Sequence, residues 1–345
     1  MRGFVKEIVI QWLLLGLLVA SMVLAVSYGS VSIPISEVWQ IIGGHIGGAP
    51  IQDVSPAISD IIWNIRLPRV ILAACVGAGL ALAGLVMQAS VQNPLAEPFI
   101  LGIASGASVG AVVAILLGAG ALSLGFGVAG AAFLGALLST LVVLLLAGVR
   151  KRLNTVRLIL AGAVVSALCV AVSNCIIYMA ADAQGMQTAA FWTMGSLADA
   201  KWSNLFLPVV ALAILATYFL SQIRTLDALL LGEEVAVTLG INASKKRRFY
   251  MSLVALLTGV LVSQCGVIGF VGLVIPHMVR ALWGASHRAV LPLSILLGAI
   301  FLVWADLLSR IILPSGDLPI GIITALLGAP LFMYLLFAKE QGLGA

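Results

Sequence analysis

An all-α polytopic membrane protein of about ten membrane-spanning helices is the fold this sequence predicts, and three observations predict it. Of its 345 residues, 62% are hydrophobic and 9% charged, where soluble domains carry about 25% charged residues. The mean hydropathy of +1.19 exceeds what one buried core supplies, because a soluble chain of this size covers a large surface with polar groups. Divided by roughly 30 residues for a helix and its connection, the length leaves room for about ten to eleven crossings. A water-soluble globular protein is excluded.

Apolar runs between charges or Pro/Gly clusters place spans near 8–28, 67–89, 99–118, 123–148, 158–180, 204–222, 249–267, 269–283, 289–312 and 319–338, within one transmembrane domain of 1–345. The first run follows Arg2 and Lys6 and is too long for the 7–15-residue core typical of a signal peptide, so it reads as a retained span. The second is lined by Gly77, Gly79 and Gly84 among alanines, and the third repeats glycine at 102, 106 and 110. Small residues at helical spacing let helix backbones approach closely in lipid. Between the seventh and eighth spans, Gly266, Gly269 and Gly272 precede Pro276. Broken backbone at membrane depth is tolerated inside protein or beside a water-filled cavity, which points to a pathway wall. In the ninth span Arg310 follows Asp306 by four residues, one helical turn, and predicts a local ion pair.

Outside the spans, 32–42 and 188–197 read as amphipathic segments lying along the membrane surface. The segment 225–242 is too polar to span and too patterned for a slack loop. It predicts two short helices within a loop, 223–248, offered to a cytoplasmic partner. With the N-terminus inside, 14 of the 18 basic residues fall on the cytoplasmic side, leaving Arg66, Arg69, Lys201 and Arg310 outside. Both termini are then cytoplasmic, and Trp39, Trp63, Trp192 and Trp202 form an external interfacial belt. The net charge of +5 reflects this asymmetry, not nucleic-acid binding.

Several chemistries lack their residues. Cys75, Cys169, Cys175 and Cys265 lie in apolar runs without CxxC spacing, so no zinc site or disulfide framework is indicated. No lysine follows a glycine, which removes the P-loop. His45, His277 and His287 are widely separated, no HExxH exists, and His277 reads as a packing residue. No catalytic side chain, metal site or resident cofactor is expected. An ion-coupled secondary transporter would need an intramembrane relay beyond Asp306.

One ordered set of motifs is more specific. Arg66–Leu67–Pro68–Arg69 opens the second span; Gln92–Asn93–Pro94–Leu95–Ala96–Glu97–Pro98 and Leu101–Gly102–Ile103–Ala104–Ser105–Gly106–Ala107 follow it. Leu160–Ala161–Gly162, Leu231–Gly232–Glu233–Glu234, Leu239–Gly240, the run Gly269 to His277, Leu318–Pro319–Ile320–Gly321 and Gly328–Ala329–Pro330 complete the set. From about residue 66 to 336 the chain resembles the FecCD-type permeases of ABC importers for iron-siderophores, haem and cobalamin.

That resemblance implies a cobalamin-importer-type (type II) permease of ten spans in the cell inner membrane, paired with a second copy as a homodimer. It implies two ATPase subunits that hold ATP and magnesium, and a periplasmic or surface-anchored substrate-binding protein. Carried over by position, Arg66, Arg69 and Arg310 dock the binding protein, a role that suits arginines left outside against the charge trend. Leu231, Gly232, Glu233, Glu234, Leu239 and Gly240 form the coupling helices for the ATPase. Asn93, Leu95, Thr155 and Val156 form the cytoplasmic gate, with Asn93 equally placed to initiate an Asn-Pro turn. Ferric siderophore ranks first as substrate, before haem and cobalamin.

Overall fold

The computed structural model describes residues 2–29, 31–48, 54–118, 127–148, 155–313 and 316–340, with the side chains of 2–6 and 335–340 excepted. Helix α1 (Arg2–Ser27) is followed by α2 (Ile35–Gly47) and α3 (Pro56–Asp60), and a π-helical turn, Ile61–Arg66, runs into α4 (Leu67–Val91). A 3₁₀ turn, Pro98–Leu101, leads to α5 (Ile103–Leu116), α6 (Gly127–Gly148), α7 (Thr155–Met179), α8 (Ala183–Met194) and α9 (Trp202–Ser221). Two short helices follow, α10 (Ile223–Leu230) and α11 (Glu233–Thr238), then α12 (Ala243–Cys265), α13 (Val271–Trp283), α14 (His287–Ile311) and α15 (Ile320–Glu340).

Among the described residues, seven helices are long and apolar enough to cross a bilayer, and three shorter apolar ones, Ile103–Leu116, Val271–Trp283 and Ile320–Tyr334, join them. Together they are roughly consistent with the expectation of about ten membrane-spanning helices. The start of the fourth run, 123–126, and the basic run 150–152 lie outside the described residues.

Helix α4 is the axis of the bundle. All of it but Leu67, Ile71 and Ala74 is buried, against α14, α12, α13 and α9. Its small residues make this possible. A Cβ on Gly77 would overlap the Gly298 carbonyl of α14, and one on Gly84 would overlap the Gly272 carbonyl of α13. Helix α7 is the opposite case: within it only Leu158, Gly162, Val165 and Ser173 are buried. Its Leu160, Val164 and Leu168, with Leu138, Leu141 and Leu145 of α6, stand exposed. Apolar surface of that extent suits hydrocarbon, not water.

The predicted break is present. Helix α12 ends at Gly266 (φ +69°) and α13 begins after Phe270 (φ +69°), leaving non-helical backbone between them. The predicted surface segment 188–197 covers the second half of α8 and the turn after it, with Thr188, Phe191 and Met194 exposed. Helix α8 turns in at Gly195, whose carbonyl accepts from Ile320 N–H, while Ser196 N–H donates to the Cys265 carbonyl. The turn after α8 is therefore tied to the end of α12 and the start of α15.

Replacing Gly84 with Ala puts one methyl group into the α13 backbone, and overpacking of that kind costs about 1–3 kcal/mol or more. Gly16, with nothing within 4 Å of its added Cβ, is the control. Thermal unfolding in detergent should show a lowered midpoint for Gly84→Ala and an unchanged or raised one for Gly16→Ala.

Candidate functional site

Three predicted arginines meet at one end of the bundle, and all three are buried. Arg69 Nε donates to Asp306 Oδ1 at 2.7 Å; its Nη1 pairs with Asp317 and its Nη2 with Ser309 Oγ at 3.3 Å. Arg310 reaches the same Asp306 from one turn away, 3.1 Å to Oδ2. Asp306 is fully buried, so two guanidiniums share one carboxylate in a low-dielectric site. Arg66 has no acidic partner among these bonds. Its Nη1 donates to the carbonyls of Val26 at 2.8 Å and Ser27 at 2.9 Å, and its Nη2 to Val31 at 2.5 Å. Arg310 adds bonds to Ala25 at 2.8 Å and Tyr28 at 3.3 Å.

The logic is that of a helix end. The last carbonyls of α1 have no intrahelical donors, and the helix dipole places partial negative charge there. Two arginines from α14 and the π-helical turn supply the donors. Around them lies a cavity of about 240 Å³ lined by Gly29, Val31, Ile61, Ile65, the three arginines and Asp317. The predicted Asp306–Arg310 pair is thus one half of a larger cluster. Its other half joins residues 237 apart in sequence, and Asp317 carried no local signal.

At the other end stand α10 and α11. Gly232 separates them at φ +117°, a backbone state that glycine adopts without a Cβ penalty, and Gly240 ends the pair at φ +78°. Leu226, Ala228 and Leu229 are buried, whereas Leu231, Val235, Val237 and Leu239 are exposed. Glu233 pairs with Arg247 of α12 at 3.4 Å. Asp227 accepts from His287 N–H at 2.9 Å and meets its ring Nδ1 at 2.7 Å, tying α10 to the start of α14.

The four predicted gate residues gather at the end of α4, beside α10. Asn93 Oδ1 accepts from Leu95 N–H at 2.9 Å, the turn expected of Asn-Pro. Thr155, the first residue of α7, donates from Oγ1 to the Val91 carbonyl at 3.1 Å. Leu95 and Val156 are exposed. Three neighbours had no role assigned from the sequence, although Gln92 and Glu97 belong to the motif that carries the resemblance. Gln92 Nε2 donates to the Leu229 carbonyl at 2.8 Å; Gln88 donates to the carbonyls of Gly272 and Leu273 and accepts from Arg280. Glu97 Oε1 accepts from Phe270 N–H at 3.0 Å. An open recess of about 410 Å³, mostly apolar, lies beside the broken segment and includes Val267, Phe270, Gly321 and Leu326 in its lining.

The model of the FecCD transport family matches residues 17–338. This chain belongs to the FecCD transport family. Members are permease subunits of ABC importers for metal chelates or cobalamin, which are not themselves catalytic. The FecCD chain is 41% identical to the ABC transporter permease YvrB of Bacillus subtilis over 329 residues, 94% of this chain and 92% of that one. It is also 41% identical to the vitamin B12 import permease BtuC of Vibrio cholerae over 298 residues, 86% of this chain and 89% of that one. A solved structure described as an inward-facing metal-chelate type ABC transporter matches with a TM-score of 0.82 and 33% identity, over 95% of this chain and 98% of that one. PsaBC from Streptococcus pneumoniae, at 17% identity and a TM-score of 0.56 over 86% of this chain and 95% of that one, shares the fold.

Removing the shared carboxylate is the sharpest test of the arginine cluster. Breaking a buried pair by deleting one partner costs about 3–5 kcal/mol. Asp306→Asn should therefore lower the thermal midpoint far more than Asp182→Asn at an exposed helix cap, measured by unfolding in the same detergent.

Proposed function

We propose that this FecCD permease works as a pair of identical copies in the inner membrane, both termini cytoplasmic, and moves a bulky corrinoid from a binding protein into the cell. Two ATPase subunits drive it by rigid-body closure and opening, and ATP and magnesium stay with them. One observation carries the reading. In a segment too polar to span, Leu231, Val235, Val237 and Leu239 are exposed together, an apolar edge that suits a protein partner at the end rich in lysine and arginine.

The arginine end then faces outward. Arg66, Arg69 and Arg310 are assigned to docking carboxylates of the binding protein; docking would draw Arg66 from the carbonyls of Val26, Ser27 and Val31, and Arg69 and Arg310 from Asp306 and Asp317. Asn93, Leu95, Thr155 and Val156 close the pathway on the cytoplasmic side. The apolar recess beside the broken segment offers a weakly binding wall, which leaves specificity to the binding protein.

For the substrate, the sequence ranking put ferric siderophore ahead of cobalamin. The relatives named as vitamin B12 permeases, at 41% identity, support raising the corrinoid to first. A ferric siderophore is the second reading, favoured by the likeness to a metal-chelate type transporter, and haem follows.

Reconstitution tests the assignment. Liposomes carrying this chain with its ATPase subunits and binding protein should accumulate labelled cyanocobalamin only when ATP is supplied, and liposomes carrying the chain alone should accumulate none. Concentrative uptake by the chain alone would instead establish a secondary transporter. Preference for a ferric hydroxamate over cyanocobalamin would move the substrate to the second reading.

A further inference from the structure

Among the described residues, two that are not glycine hold a positive φ: Gln92 at 54° and Phe270 at 69°. Long or aromatic side chains rarely take up this conformation, and such residues persist where their surroundings over-determine them. Both touch the same short stretch of chain. Gln92 opens the gate segment 93–97, and Phe270 N–H is held by the Glu97 carboxylate that closes it.

What over-determines Gln92 is visible. It ends α4 as the C-cap residue with its N–H bonded to the Gln88 carbonyl, and its side-chain amide leaves α4 altogether. That amide donates to the carbonyl of Leu229 in the last turn of α10, one of the carbonyls a helix cannot satisfy internally. Leu229 itself is fully buried, so α10 cannot shift without carrying this carbonyl with it. One residue earlier, the Val91 carbonyl receives Thr155 Oγ1 of the second gate segment. The end of α4 is therefore a node where both gate segments and α10 meet through single hydrogen bonds.

We propose that Gln92 is the positioning residue that carries displacement of the coupling helices to the gate, with the Glu97–Phe270 bond as the anchor against which the gate segment turns. The inference rests on the importer reading above. In it, α10 moves when the ATPases close, the Gln92 amide follows the Leu229 carbonyl, and Asn93 and Leu95 follow Gln92. The far end of the segment stays fixed to the start of α13 through Glu97. Thr155 Oγ1 leaves the Val91 carbonyl as the two gate segments part.

The test uses the full complex in liposomes. Gln92→Leu keeps the approximate size and removes the donor, and Gln92→Glu sets a carboxylate against the Leu229 carbonyl. Both should keep ATP hydrolysis within about twofold of the wild type while uptake per ATP falls about tenfold, the scale of a lost coupling interaction. Gln92→Lys restores a long-stemmed donor and should recover a large part of the uptake, which a purely structural role would not predict. A spin label at position 231 should still respond to nucleotide in Gln92→Leu, whereas one at position 95 should lose its response. Wild-type uptake per ATP in Gln92→Leu and Gln92→Glu, or a position-95 label that still moves, overturns the proposal. Should Gln92→Leu fail to assemble, Gln92→Glu against Gln92→Lys gives the same comparison. Wild-type complex that shows no ATP-dependent uptake would instead overturn the importer reading itself.

Discussion

A helix buried on nearly every side has to set its long polar side chains against partners within the bundle, and α4 is such a helix. Arg69, Gln88 and Gln92 are the long polar side chains at its two ends, and each is committed to a neighbour: Asp306 and Asp317, the carbonyls of α13, and the carbonyl of Leu229. Between those ends the helix is small residues and aliphatics pressed against α14 and α13. Lipid gives helices no hydrophobic reason to associate, so close backbone packing and buried polar bonds are what hold such an axis in place. The same ties fix α14. It shares Asp306 with α4 at one end and holds Asp227 of α10 through His287 at the other. Helices α4 and α14, joined at Gly77 and Gly298, are thus one two-helix body running from the arginine cluster to α10.

The remaining helices divide by how much of this body they touch. Helices α6 and α7 turn leucine and valine outward and serve as a lipid-facing wall. The broken stretch 266–270, the inward end of α8 and the start of α15 form a region built on single backbone bonds and glycine contacts, Gly195 with Ile320 and Gly321 with Met194. A stiff axis beside a segmented wall is an arrangement in which rigid-body displacement at one end opens space at the other. The segment 93–97 joins the two parts: Gln92 caps α4 and bonds to Leu229 of α10, and Glu97 bonds to Phe270 at the start of α13.

Much of this was legible in the sequence, for definite reasons. Long apolar runs announce spans wherever the solvent is lipid. Gly266 and Gly269 announced the break, which the structure places between Cys265 and Val271, whereas α13 runs on through Gly272 and Pro276. The stretch 225–242 announced α10 and α11 because its apolar residues recur at helical spacing, although the structure buries Ala228 and Leu229 and exposes Leu231, Val235 and Leu239. Asp306 and Arg310 are four residues apart, so their pairing is a local fact. Arg69 with Asp306 is a tertiary fact that no periodicity encodes. Gln88, Gln92 and Glu97 are single polar residues flanking a turn motif, and their importance lies in which carbonyl or N–H the fold brings within reach. The ties from the turn after α8 to α12 and α15 were likewise hidden, because they join segments far apart in sequence.

The account depends most on α4 and α14 moving as one body, and this can be measured by spin-label distances. One label pair, at Ile65 beside the start of α4 and Ser286 at the start of α14, spans the body lengthwise. A second pair, Ile65 with Val156 on α7, crosses to the lipid-facing wall. When the ATPase subunits of the complex bind nucleotide, the first distance should stay fixed while the second changes. A first distance that shifts as much as the second would show that the axis bends or parts, and would contradict the account.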